Sequence, residues 1–508
     1  MKIIGRIFKI TAEISHKRII KKNIDYKNQL LVLRNLLSAA KHTQFGFFHN
    51  FIKILARPDV VTEYQTLVPI ADYDEFYNKW LHKTIAGQKD TTWKGKIKYY
   101  ALSSGTTGSP SKRIPVSIQM IRSFQKTTLM QFSVLHELAL DDSFFDANML
   151  AFGGTTKLVR SGKHIEGDLS GILKKHASVL IKPFTKPGAK IAAIKDWNEK
   201  IDAIVEKAPQ WNIGLIAGIP SWCLILLERI ISHYQLKDIH DIWPNFQVYV
   251  HGGVYMGPYE DRFKKICGKK VFLLDTYLAS EGYFAYQTDS KKPSMKLLLN
   301  SNIFYEFVPF NSNYFNEEGE LISKHNAITI SEVKLGIDYA LVITSNAGLW
   351  RYLLGDLVRF TNISEKEIII TGRIKQFLSL CGEHLSLDNI YSALKNIKKK
   401  GLMEEAEFTI SVDLTKQYHH FFIESNKPHP DANQLINLID AELCKINDDY
   451  KSARKYTLKN PQITIIPEGT IYQFMAYRGK LGGQNKMPCI LNEEQKHDWL
   501  AFLKEKEL

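Results

Sequence analysis

The chain has 508 residues, 44% of them apolar and 24% charged, with 30 Gly and 17 Pro. That is ordinary globular composition, enough for about two to four domains, and it excludes a mini-protein, a collagen-like repeat and a disordered chain. Lysine and arginine number 67 against 53 aspartate and glutamate, a net charge of +14, which attracts anions in general, whether nucleotides, nucleic acids or acidic lipid surfaces, and chooses no partner by itself.

Residues 1–55 carry Ile7, Phe8, Ile14, Leu30, Leu33, Leu36 and Leu37 at helical spacing and are expected as a helical lead. Its basic residues Lys2, Arg6, Lys9, Lys17, Arg18, Lys21 and Lys22 read either as the solvated face of a helix or as a peripheral contact with an acidic membrane. No long apolar run followed by a small-residue cleavage site is present, so no signal peptide is read. Lys96 to Leu102 is expected as a strand feeding a Ser/Thr/Gly loop, Arg113 to Ser117 leaves that loop, and 118–138 returns to helix. The most apolar stretch, Gly214 to Ile231, is interrupted by Pro220, Glu228 and Arg229, too soon to span ~30 Å of hydrocarbon, so no transmembrane helix is expected. Strand, helix and strand then alternate over Phe246–Val250, Tyr259–Cys267 and Val271–Tyr277, the pattern of an α/β sheet. Between 300 and 372 the runs become β-rich (303–309, 327–334, 340–345, 367–371), the pattern of an antiparallel sheet or small barrel. After Arg373 a compact α+β segment is expected: helix 386–399, strands 406–413 and 418–424, a long helix 430–455, strand 462–466 and a closing helix. Residues 1–375 carry a net charge of +15 and residues 376–508 of −1, so the main boundary is placed near 374. The five cysteines are odd in number and include no C-x-x-C pair, which indicates neither a disulfide framework nor a zinc cluster and fits a reducing cytoplasm.

Five segments carry chemistry. Ser103-Ser104-Gly105-Thr106-Thr107-Gly108-Ser-Pro-Ser-Lys112 has small residues that let successive backbone N–H groups face one anion, hydroxyls that add donors and a lysine that adds charge, which together make a phosphate cradle. The Walker spacing fails, since no Gly-Lys-Ser/Thr follows, and no G-x-S-x-G elbow is present. Asp275-Thr-Tyr277-Leu-Ala279-Ser280-Glu281 ends a strand, where a carboxylate is placed either to hold Mg²⁺ on a polyphosphate or to face solvent. His251-Gly252-Gly253 ends another strand, and its glycines allow a flat base to come close to the backbone or simply make a turn. In Gly348-Leu-Trp350-Arg351-Tyr-Leu-Leu-Gly355-Asp356 the carboxylate needs donors, either ribose hydroxyls or an internal salt bridge to Arg351 or Arg359. Gly372-Arg373-Ile-Lys375 lies at the boundary. Tyr477-Arg478-Gly-Lys480-Leu-Gly-Gly-Gln-Asn-Lys486-Met-Pro488 is a glycine-rich loop with two lysines, either solvated surface or a long-reach cation delivered to a phosphate.

In this order the segments resemble the motif series of adenylate-forming acyl ligases, and in detail the auxin-responsive promoter family of acyl-acid amido synthetases. Tyr277-x-Ala-Ser-Glu281-Gly, Trp350-Arg-Tyr-x-Leu-Gly-Asp356, Gly218-x-Pro220-Ser-Trp222, Asn447-x-x-Tyr450-x-x-Ala-Arg454 and Arg478-Gly-x-x-x-Gly-Gln484-x-Lys486-x-Pro488 carry that likeness, which runs from about residue 60 to about 490. The resemblance implies an α/β plus α+β protein: a large adenylation domain over 1–374, with a barrel-like β-rich part over 300–372, and a small mobile domain over 375–508. It implies ATP and Mg²⁺ as cofactors, a small carboxylic acid and an amino acid as substrates, and no nucleic acid partner. By position, Ser103 to Gly108 with Lys112 would cradle phosphates. Gly252, Gly253, Tyr277, Ala279 and Ser280 would line the adenine and α-phosphate region, and Glu281 would hold Mg²⁺. Asp356 would bind ribose, Arg373 would assist there and Lys375 would sit at the hinge. Lys486 would be the catalytic lysine, with Lys480 as alternate. Coenzyme A as acceptor, or a non-catalytic nucleotide-binding protein recruited through its basic N-terminus, are the other readings.

Overall fold

A computed structural model of the chain describes residues 9–10, 13–14, 25–103, 112–177, 181–316, 319–374, 378, 385–403, 406–413, 416–425, 432–482 and 485–508. The lead is helical over Tyr26–Ala40, Gln44–Phe48, Phe51–Ala56 and Val60–Leu67. Asp25 caps the first helix in a capping box with Asn28, and Thr43 caps the second. The first helix buries Val32, Leu33, Leu36 and Leu37 on one stripe and packs against the strand Ile303–Pro309, where the Gln29 amide accepts from the Tyr305 N–H and donates to the Leu299 and Ile303 carbonyls.

Twelve strands make one open sheet. Its order is Ile328–Thr329, Ile303–Pro309, Asp338–Ser345, Tyr352–Asn362, Glu367–Arg373, Met295–Leu297, Gly282–Tyr286, Phe272–Ala279, Val248–Gly252, Ile213–Gly218, Asn148–Phe152 and Thr185–Lys186. The last five run parallel, as helical crossovers require; the others pair antiparallel. The region 300–372 is therefore the antiparallel half of this sheet rather than a barrel-like body. The short strand Met295–Leu297 pairs with Gly282–Tyr286 on one side and Glu367–Arg373 on the other, and so joins the halves edge to edge. The strand expected over 327–334 shrinks to Ile328–Thr329, because the Glu332 carboxylate takes the Thr329 N–H and hydroxyl and turns the chain. In the parallel half, Ile213–Gly218 leads through Pro220, at the first turn of Pro220–Tyr234, into a helix that starts where a missing N–H costs nothing.

A four-stranded sheet (Lys112–Val116, Tyr99–Ser103, His164–Gly167, Val159–Ser161) carries the cradle hairpin. A three-stranded sheet (Phe408–Asp413, Tyr418–Glu424, Gln462–Ile466) belongs to the C-terminal segment, which has apolar clusters of its own around Ile390, Phe421 and Leu443 and around Phe474 and Trp499. The long helix expected over 430–455 is two, Ala432–Ile446 and Asp448–Tyr456, because Asn447 is extended and its side chain accepts from the Tyr450 N–H, capping the second helix and stopping the first. Among the described residues no helix is long and apolar enough to cross a membrane.

Candidate active site

Four parallel strands end side by side: Phe152 is level with Gly218, Gly218 with His251, and Gly252 with Thr276. A cleft of about 1690 Å³ opens there, bordered on its other sides by Asp356 and Arg373 from the antiparallel half and by Lys480 and Lys486 from the C-terminal segment. This is where open α/β sheets bind ligands, since loops leave the carboxyl ends of the strands with free backbone groups.

Asp356 and Arg373 face each other across neighbouring strands in direct register. The Arg373 Nε donates to Asp356 Oδ1 at 2.6 Å, and the Tyr277 hydroxyl donates to Oδ2 at 2.7 Å. The salt-bridge partner of Asp356 is thus Arg373 and neither of the two arginines nearer in sequence. Arg351 is turned into the core onto Glu306, and Arg359 points to Asp338 and Asp388. The Asp356 charge holds the Arg373 guanidinium above its ordinary range. Among the described residues the two terminal nitrogens of Arg373 meet no acceptor, and the residue borders the cleft. Trp350, in the same motif, is a core residue: its indole donates to the Thr92 carbonyl and its ring packs on Phe45 and Phe51.

Glu281 lies in the hairpin turn after Phe272–Ala279, with Ala279 and Ser280 beside it on the cleft wall. It is buried, and no side chain of the described residues donates to it. Burial first, and then repulsion by Asp356, push its carboxyl up to about 7, against the pull of its own backbone N–H, Arg373 and Lys112. Lys112 begins the strand leaving the cradle loop, opposite Ser103; its ammonium lies over the Tyr73 ring, and burial lowers its pKa. Ser103 borders the cleft, whereas Ser104, Gly105, Thr106, Thr107, Gly108 and Lys375 lie outside the described residues.

Lys486 reaches the parallel half, where its ammonium donates to the Gly253 carbonyl at 2.5 Å. Gly253 has φ +85, and a Cβ there would meet the lysine nitrogen at 3.0 Å; one on Gly252 would meet the Thr276 carbonyl at 2.5 Å. Both positions therefore need glycine. The Lys486 side chain is accessible to cleft water, yet the surrounding walls, followed by repulsion from Arg373, push it down to about 8. The loop is anchored beside it, with the Trp222 indole donating to the Asn485 carbonyl at 3.2 Å. Lys480 borders the same cleft, half-buried, without a side-chain partner among the described residues.

Three cleft residues given no role from the sequence also stand here, His251 and Lys200 buried and Asp275 half-buried. Asp275 is raised to about 7 by burial, against the Thr276 N–H. His251, whose Nδ1 is 3.5 Å from Asp275, is lowered to about 4, again by burial. Lys200 enters from the helix Trp197–Lys207, whose buried stripe is Trp197, Lys200, Ile201, Ile204 and Val205. A lysine on an apolar stripe was the available signal.

Family models match most of the chain in order: the GH3 family N-terminal domain over residues 21–161 and 160–272, the central domain over 296–370 and the C-terminal domain over 388–495. The chain belongs to the GH3 family. This is the branch to which the five ordered motifs point. The GH3 chain is 26% identical over 282 residues to jasmonoyl–L-amino acid synthetase JAR6 of Nicotiana attenuata, an alignment covering 52% of this chain and 47% of the relative. It is 36% identical over 236 residues to a probable indole-3-acetic acid-amido synthetase, GH3.1, of Oryza sativa subsp. japonica, covering 42% and 38%. The chain spans about half the length of the curated relatives it matches. Its fold is that of the GH3.15 acyl acid amido synthetase, with a TM-score of 0.77 at 17% identity over 96% of this chain and 95% of the other. It is also that of 2-hydroxyisobutyryl-CoA ligase in its postadenylation state, with a TM-score of 0.61 at 12% identity over 94% and 91%.

Proposed function

We propose that this GH3 chain is an ATP-dependent ligase that activates a carboxylic acid as its acyl-adenylate and transfers the acyl group to the amine of an amino acid. The observation that carries the reading is the convergence of Glu281, Asp356, Arg373 and Lys486, from four separate segments, on one cleft at the strand ends. The names of the relatives, amino acid synthetases and amido synthetases, support the amine as acceptor.

In the first step the acid's carboxylate oxygen attacks the α-phosphorus of ATP and the bond to pyrophosphate breaks. In the second the amine attacks the acyl carbon, AMP leaves and the amine loses a proton. Asp356, fixed by Tyr277 and Arg373, accepts from ribose hydroxyls, and the terminal nitrogens of Arg373 face ribose or phosphate. Gly252 and Gly253, with Tyr277, Ala279 and Ser280, border the base and α-phosphate. Ser103 and Lys112, with Ser104 to Gly108, take the phosphates. Lys486 supplies positive charge where the α-phosphate gains negative charge in the transition state. Lys480 is the alternate. The fit of Mg²⁺ rests on Glu281, a buried carboxylate to which no side chain of the described residues donates. Among the described residues no group of three acidic, His or Cys side chains gathers for a metal, so nucleotide oxygens and water would complete the set. When bound, Mg²⁺ neutralises phosphate charge. The division into residues 1–374 and 375–508, with Lys375 as hinge, makes Lys486 a cation that one closure delivers and another withdraws.

Acid-dependent ATP–pyrophosphate exchange tests the first step, and mass analysis of products formed with amino acids or with coenzyme A tests the second. Nucleotide binding without exchange across a broad acid library would sink the enzymatic reading. A thioester in place of an amide would transfer it to coenzyme A.

A further inference from the structure

Lys200 is 2% exposed, yet no carboxylate of the described residues comes within 4.0 Å of its ammonium. It donates instead to two backbone carbonyls, Gly153 at 3.4 Å and Gly154 at 2.9 Å, in the turn that follows the strand Asn148–Phe152. An ammonium has three donors, of which the described residues take two, and the residue borders the cleft. A buried charge without a counter-charge is costly. Two other charged groups stand near. Lys174, on the helix Leu169–Lys175, borders the same part of the cleft and donates to the Gly188 carbonyl. Asp168 occupies the N-cap position of that helix without capping it. Burial lowers Lys200 to about 8, and Lys174 adds to this while Asp168 opposes it.

The sheet sets how far this part of the cleft lies from its nucleotide end. His251, two residues before the Gly253 carbonyl that Lys486 meets, and Phe152, just before Gly153, are separated by the single strand end at Gly218. Two strand spacings are about 10 Å. On the strands and turns that end there, Met149, Ala151, Ala217, Ile219 and Trp222 border the cleft.

Resting on the adenylation reading above, we propose that Lys200, with Lys174 beside it, is the subsite for a second carboxylate carried by a substrate, two strand spacings along the cleft from the nucleotide end. The acyl acid is the favoured bearer, because the apolar side chains at these strand ends suit a hydrocarbon spacer. An extended chain of about eight carbons bridges that distance at ordinary bond lengths. The carboxylate of the acceptor amino acid is the other possible source, and it makes the same contact.

The test compares octanedioate with octanoate in acid-dependent exchange and in titration calorimetry without nucleotide, and an amino acid with its amide in product formation. Each uses the full-length protein and its Lys200→Met and Lys200→Arg variants. The expected result is a preference of about 10- to 100-fold for the diacid, the range of one charge-assisted hydrogen bond. That preference collapses in Lys200→Met and is kept in part by Lys200→Arg. Indifference to the diacid, with a tenfold preference for the free amino acid over its amide that Lys200→Met abolishes, assigns the same subsite to the acceptor. Equal losses for both members of each pair would make Lys200 only a prop for the Gly153–Gly154 turn and overturn the proposal, as would unaltered ratios in both. Calorimetric preference without exchange for any acid would leave the subsite standing and remove the adenylation reading, so the two failures are separable.

Discussion

Two acid–arginine pairs, both in the antiparallel half of the sheet, show how the same chemistry serves packing in one place and ligand binding in another. Glu306 and Arg351 are fully buried. Arg351 Nε lies 3.1 and 3.2 Å from the two Glu306 oxygens, its terminal nitrogens donate to the carbonyls of Gln65, Val68 and His325, and the Gln65 amide also donates to Glu306. Every valence is used, and the pair ties the helical lead to the antiparallel half. Asp356 and Arg373 are also close, but among the described residues the arginine's terminal nitrogens meet no acceptor, the carboxylate borders a cleft, and Glu281, to which no described side chain donates, stands beside them. A saturated pair holds a fold together, whereas an unsaturated one awaits a ligand.

The largest expected effect breaks the saturated pair. Glu306→Ala leaves the Arg351 charge buried and lowers unfolding stability by about 3–5 kcal/mol. Replacing both residues by Met should restore most of it, as chemical denaturation would show. If the single variant were as stable as the parent, the pair would not be the tie described. At the cleft the cost falls on activity. Lys486→Ala should slow exchange by about 10²-fold or more, while aminolysis of a synthetic acyl-adenylate persists; equal losses in both half-reactions would deny it a role confined to adenylation.

Glu281 sharpens the contrast through pH. In the folded protein it keeps its proton up to about 7, against 4.5 for an ordinary glutamate. More protons are therefore bound folded than unfolded across that window, and stability is lost as pH rises through it. Glu281→Gln should recover about 2–3 kcal/mol at pH 7.5 in the ligand-free protein while weakening Mg²⁺-dependent exchange. Asp275 and Glu407, also raised to about 7 by burial, leave a residual slope. A variant whose stability falls with pH as steeply as the parent's would take the carboxylate out of this account. Asp356→Ala should weaken ATP by about 1.5–3 kcal/mol, the value of charge-assisted hydrogen bonds, with less than about 1 kcal/mol lost in stability because the pair borders water. An unaltered ATP dependence would make it a structural pair like the other. The smallest change is expected at Lys480, where alanine should alter exchange by no more than about threefold, the share of a screened surface cation. A loss there larger than at Lys486 would exchange the two roles.

Local features of the sequence determined much of this. Helix caps, the alternation of strands and helices, the glycines at 252 and 253, and the order of five motifs are short-range properties, and backbone sterics and capping chemistry act at that range. The same range made the long helix over 430–455 legible as helix while hiding its break, since Asn447 interrupts by a single side-chain bond. What only the tertiary structure decided are matters of strand register and sheet joining. Asp356 meets Arg373 rather than Arg351 because neighbouring strands place them level, and Arg351 is drawn into the core by Glu306. The β-rich region joins the main sheet instead of closing on itself because Met295–Leu297 pairs on both edges. Lys200 comes to the cleft because a crossover helix packs over strands that precede and follow it in the chain. Each of these pairs groups far apart in sequence, and such contacts are chosen by the summed burial and hydrogen bonding of whole strands, which no single segment encodes.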